Sequence, residues 1–118
     1  MSMKNSSGQT LSLILVTYPA DANYRAWCRS IIERNLAACV NIINVNSIYR
    51  WKETIEESQE VLLIFKTRRE VVELLKEVIM KEHPYEVPEF IELQANNVNA
   101  SYLKWIIEST TQQKNKHG

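Results

Sequence analysis

"ACVNIINVNSIYRW", residues 38–51, decides the fold. Val40, Ile42, Val45, Ile48 and Tyr49 give it a strong β preference. At about 3.3 Å per residue, a strand of this length reaches roughly 45 Å. A compact domain of 118 residues has a radius of gyration near 13 Å and a diameter of about 35 Å. Part of the strand, with its hairpin partner, must therefore project beyond the body of its own domain. Ile48, Tyr49, Trp51 and Ile55 would then stand exposed on a strand edge, a template for pairing with another chain. Docking on a second copy removes that hazard, and a closed ring of copies is the simplest assembly that does so. The apolar alternation changes phase between Ile42 and Ile43, which predicts a bulge or a change of packing partner there.

Working outward, "KETIEES" (52–58) reads as a turn and "EVLLIFK" (60–66) as the returning strand. Upstream, "LSLILVT" (11–17) is apolar nearly throughout, as a central strand is, and Pro19 ends it. Asp21 is placed to cap a helix over 21–36, where Tyr24, Trp27, Cys28, Ile31, Ile32 and Leu36 recur at helical spacing. Downstream, Thr67 and Glu70 have the spacing of a capping box, opening a helix with the stripe Val71, Leu74, Leu75, Val78 and Ile79. "KEHPYEVPEF" (81–90) stops that helix, and Val87–Leu93 reads as a fourth strand. Asn99 or Ser101 caps a last helix carrying Tyr102, Leu103, Trp105 and Ile106. Residues 1–10 and 110–118 are polar and expected to be disordered tails around one domain, 11–109. The order βαββαβ plus a C-terminal helix predicts an α+β, ferredoxin-like sandwich. Two helices cover one sheet face, and the other stays uncovered unless a partner covers it.

Composition excludes several functions. Lys plus Arg and Asp plus Glu each number 14, so no net charge draws the chain to nucleic acid or an anionic membrane. No apolar run approaches a membrane span, and the polar opening is unlike a secretory signal. Two cysteines without a C-x-x-C spacing suit a reducing compartment, and a cytoplasmic location is expected. Gly8 and Gly118 are the only glycines, which rules out phosphate-cradling loops. Asp21 is the sole aspartate and no Ser-His-Asp arrangement exists. An RNA-recognition surface needs exposed aromatics on the central strands, which offer Phe65 alone. An acylphosphatase-like loop needs an arginine after the first strand, but Arg25 falls inside the first helix. No enzyme is expected.

Several side chains remain as candidates. His83 reads either as a helix-end residue bonded to the last carbonyls or as a metal ligand. Cys39 reads either as a small strand hydrophobe or as a thiolate that would complete a soft copper or zinc site with His83. Glu86 and Glu89 flank Pro88 and offer carboxylate oxygens, although a solvated strand entry is their ordinary fate. Lys66 closes a strand where Thr67 begins a helix, so the two would favour an anion there, or Lys66 snorkels to solvent. Tyr85 can pack on a neighbouring copy and present its hydroxyl to a cleft. Trp51 and Trp105 read as packing anchors between copies, with Tyr49 beside them.

Five ordered motifs, "LAACVNI" (36–42), "SIYRWK" (47–52), "IEESQEVLLIFKT" (55–67), "HPYEVPE" (83–89) and "YLKW" (102–105), resemble the CutA family of divalent-cation tolerance proteins. The likeness covers roughly residues 11–108. It implies a tight homotrimer whose strands join between subunits, with polar clefts at the joints. For some members it also implies binding of Cu(II) or another divalent cation, without any cofactor being required. Residue chemistry and resemblance together give the expected sites: His83, Cys39 and Glu86 for a metal, Lys66, Thr67 and Tyr85 for a ligand cleft, and Tyr49, Trp51 and Trp105 for the trimer interface. The alternative is a trimeric sensor or signalling scaffold that takes an anionic metabolite between subunits. Bacterial members with proposed copper ligands carry a first-strand cysteine and paired histidines, where this chain has Val16 and Glu82-His83. The hairpin turn usually contains glycine, and Glu53 would be costly there if a positive φ were needed.

Overall fold

The computed structural model describes residues 10–111. Four strands and three helices follow in the order β1 (Leu11–Pro19), α1 (Tyr24–Glu33), β2 (Cys39–Trp51), β3 (Thr54–Arg68), α2 (Val72–Glu82), β4 (Ile91–Gln94) and α3 (Ala100–Ser109). The strands form one antiparallel sheet in the order β2-β3-β1-β4, the ferredoxin-like arrangement. Ile14, Val16, Leu63 and Phe65 are fully buried on one face of β1 and β3, against Ile31 of α1 and Leu75 and Ile79 of α2. Strand periodicity sends the intervening residues to the other face. There α3 covers one end, packing Leu103 and Ile106 around Leu11 and Leu13. Past that end the second face stays apolar and open: Ile43, Ile91 and Leu93 are exposed large hydrophobics.

Local chemistry explains the element ends. Asn23, not Asp21, caps α1, its side-chain oxygen accepting from Ala26 N at 3.3 Å. Asn35 closes α1 in the left-handed region at φ 62. Leu36 N donates to Ile31 O and Asn35 N to Ile32 O, a Schellman pair seated by the buried Leu36. The expected Thr67–Glu70 capping box does not form. Thr67 is the penultimate residue of β3, its hydroxyl buried without a partner, and α2 is entered through a 3-10 turn over Arg69–Val71. Strand pairing outcompetes the cap because Thr67 lies opposite Ser12 within a continuous ladder.

The hairpin departs from expectation in three ways, and the fourth strand in one. No bulge interrupts β2, which pairs with β3 without a break from Cys39↔Lys66 to Trp51↔Thr54. Residues 54–58 extend the strand rather than turn it, leaving only Lys52 and Glu53 as the turn. The positive φ falls on Lys52, at 58°, and not on Glu53. The fourth strand begins at Ile91, because Pro84 and Pro88 deny the preceding stretch two ladder donors. The projecting ribbon itself is present: the radius of gyration is 15.9 Å and the longest extent 48 Å. Thr110, assigned above to the C-terminal tail, is buried and accepts Arg68 Nε at 3.0 Å. Residues 1–9 and 112–118, the rest of the expected tails, lie outside the described residues.

Candidate ligand cleft

β4 pairs with β1 only from Ser12 to Leu15, so the edge of β1 beyond Leu15 has no strand beside it. The segment joining α2 to β4 covers that edge. His83 N still donates to Ile79 O at 3.0 Å, and Pro84 then prevents another helical turn. The His83 ring lies among Tyr18 and Tyr85, with centroids at 4.9 Å each, and Trp27 at 6.1 Å. Its Nε2 sits 2.7 Å from Thr17 O, and Nδ1 is 3.0 Å from Tyr85 N. A carbonyl only accepts and an amide N–H only donates, so Nε2 carries the proton and Nδ1 accepts. Burial favours this neutral ring and holds its pKa below the ordinary histidine value, against the opposing pull of the Thr17 carbonyl. Nε2 thus fixes the loop to β1, and Nδ1 braces the loop's own backbone.

Tyr85 continues over the strand edge and donates its hydroxyl to Glu60 Oε2 at 2.6 Å. Glu60 is 6 % exposed, and Tyr85 is its one side-chain hydrogen-bond partner among the described residues. Burial, then the Glu60 hydrogen bond, raise the Tyr85 phenol above its ordinary value. Glu89 is raised too, first by burial and then by the Glu60 charge. Beside Tyr85 opens a groove of about 610 Å³, walled by Tyr49, Trp51, Tyr85, Glu86 and Glu89 with Thr17 at its floor. By strand register Thr17, Tyr49 and Trp51 belong to the open sheet face. The groove therefore lies on the sheet face opposite α1 and α2.

The chain does not gather the expected metal residues. Cys39 opens β2 opposite Lys66, while His83 grips Thr17, whose β3 partner is Leu62. That register separates Cys39 from Thr17 by about 13 Å along the strands and about 10 Å across them. Val16 is fully buried, and Glu82 is committed to Arg34 and Trp27. No three His, Cys, Asp or Glu side chains among the described residues are placed to hold a metal ion. The residues present do not fit a copper site within one chain. Lys66 and Thr67 likewise lie six and seven residues along β3 from Glu60, roughly 20 Å from the Tyr85 hydroxyl. Trp105 stands on α3, 44 % exposed and 5.6 Å from the Tyr102 ring. Glu60 escaped the sequence reading because a carboxylate leading an apolar strand looks solvated until a tyrosine 25 residues away covers it.

Comparison with known proteins agrees with this fold. The family model of the CutA1 divalent ion tolerance protein matches residues 12–109. Protein CutA homolog of Xenopus laevis is 47% identical over 82% of this chain, and the match spans 65% of that protein. For Protein CutA of Mus musculus the figures are 41%, 86% and 58%, so the chain spans less than two thirds of these relatives' length. The divalent-cation tolerance protein CutA of Thermus thermophilus is 40% identical, over 83% of this chain and 96% of its own. Among solved structures, CutA1 of Pyrococcus horikoshii superposes with a TM-score of 0.82 at 36% identity, covering 86% of this chain and 99% of that one. The PII-like protein CutA of Nostoc gives 0.80 at 32%, covering 85% and 97%. The chain belongs to the CutA1 divalent ion tolerance family.

Proposed function

We propose that this protein is a non-catalytic homotrimer that serves divalent-cation tolerance through a small-ligand cleft between its subunits. One observation carries it: the hairpin and open sheet face carry large apolar side chains that nothing among the described residues covers. Ile48 is 68% exposed, Ile55 59% and Trp51 37%. A lone chain in water would leave these side chains, Trp51 on the open sheet face and Ile48 and Ile55 on the other side of the ribbon, as aggregation templates, and a ring of copies buries them. Two cysteines without a C-x-x-C spacing suit a reducing cytoplasm, and no helix among the described residues is long and apolar enough to cross a membrane. Names of relatives support the tolerance role. Direct capture of Cu(II) by His83, Cys39 and Glu86 has weaker support, because Cys39 lies far from the loop that carries the other two and both His83 nitrogens are already hydrogen-bonded.

Growth in excess CuCl2 tests this function. Cells deprived of the protein should grow poorly and recover with the wild-type chain, but not with Ile48→Lys/Ile55→Lys. Equal growth with and without the protein would remove the tolerance role. Full rescue by the double variant would remove the need for assembly.

A further inference from the structure

Resting on the cleft assigned above, we propose that its ligand is a small organic cation, an amine or guanidine with an apolar body. The groove is built for that chemistry in two ways. Its walls are aromatic, with Tyr49, Trp51 and Tyr85 contributing rings, and aromatic faces attract ammonium and guanidinium groups. Its charge is negative: Glu86 and Glu89 line it, and the nearly buried Glu60 stands behind Tyr85.

A buried carboxylate normally accepts several hydrogen bonds or pairs with a cation. Glu60 receives one bond, from Tyr85, and no Lys or Arg among the described residues forms an ion pair with Glu60, Glu86 or Glu89. Arg50 also reaches the groove, but strand alternation directs it to the opposite face from Tyr49 and Trp51. Among the described residues the three carboxylates thus lack an ion-pair partner, and Lys52 Nζ, 5.5 Å from the Trp51 ring centroid, is a cation already placed on that aromatic wall. A bare divalent ion is a poor match, because it wants several converging oxygen or nitrogen ligands and none converge here. An anionic metabolite would meet carboxylates. An organic cation satisfies both features, laying its body on the rings and its charged end toward Glu86 and Glu89.

Amide chemical-shift mapping on the full-length protein tests this, with benzylammonium, agmatine, benzyl alcohol, inorganic phosphate and ZnCl2 as separate probes. The two amines should shift the amides of Tyr85, Glu86, Val87 and Glu89 saturably. Glu86→Gln/Glu89→Gln should weaken that binding at least tenfold while the remaining spectrum stays folded. Equal shifts from benzyl alcohol, or stronger ones from phosphate or zinc, would overturn the cationic assignment and leave the cleft standing. No shift at these amides from any probe would overturn the assignment and the cleft together.

Discussion

The Tyr85 hydroxyl and the Glu60 carboxylate, 25 residues apart in sequence, meet at 2.6 Å on the open face of the sheet. The bond holds the loop after α2 against β3 and closes off a charge that water would otherwise solvate. Tyr85→Phe removes the donor and leaves the carboxylate buried. Loss of a partner from a buried polar group costs about 1–3 kcal/mol, so urea unfolding should show a destabilisation of that order. Tyr85→Phe/Glu60→Met removes both groups and should recover most of the loss. A Tyr85→Phe variant as stable as wild type would mean that solvent, not Tyr85, satisfies Glu60.

Glu89 makes the opposite prediction for pH. Burial raises its native pKa above the ordinary 4.5, with the Glu60 charge adding to the effect. A raised carboxyl favours the protonated fold, so its contribution is fully present below pH 4.5 and is lost as pH rises through the native value. Glu89→Gln keeps the shape without the charge. It should raise the melting temperature at pH 8 and leave it unchanged at pH 4. An equal gain at both values would assign the effect to packing.

Glu82 ties two helix ends together. Arg34 reaches it through both Nη1 and Nη2 at 3.0 Å, and Trp27 Nε1 donates at 3.0 Å. The Arg34 hydrogen bonds are the first cause of the lowered Glu82 pKa. Both side chains are more than a third exposed, where such pairs contribute about 0–1 kcal/mol. Glu82→Ala should therefore cost less than about 1 kcal/mol, and the loss should shrink in 1 M salt. A larger, salt-independent loss would point to packing by the Glu82 stem.

Large side chains and periodicity made most of the architecture legible. The apolar runs at Leu11–Val16 and Val61–Phe65 occupy the sheet centre; of the expected helical stripe Val71, Leu75 and Ile79 are buried and Val78 partly so, while Leu74 is 55% exposed. Hairpin length alone foretold a projecting ribbon. Boundaries were less legible where two local preferences compete. Thr67 has capping chemistry, yet the ladder to Ser12 claims it. Residues 54–58 look like a polar turn, yet pairing with β2 extends them, since cross-strand partners override composition. The site was read in part. The strip His83–Glu89 does bring His83, Tyr85 and Glu86 to one loop, but His83 turns both nitrogens inward. Glu60 and Thr17 join them through tertiary contacts that spacing in the chain does not encode.

Every functional statement depends on further copies of the chain sheltering the ribbon and the second sheet face. Sedimentation equilibrium at micromolar concentration measures this directly. A single species at three times the 13.8 kDa chain mass is predicted, shifting toward the monomer or aggregating in Ile48→Lys/Ile55→Lys. A stable, soluble 13.8 kDa particle for the wild-type chain would contradict it.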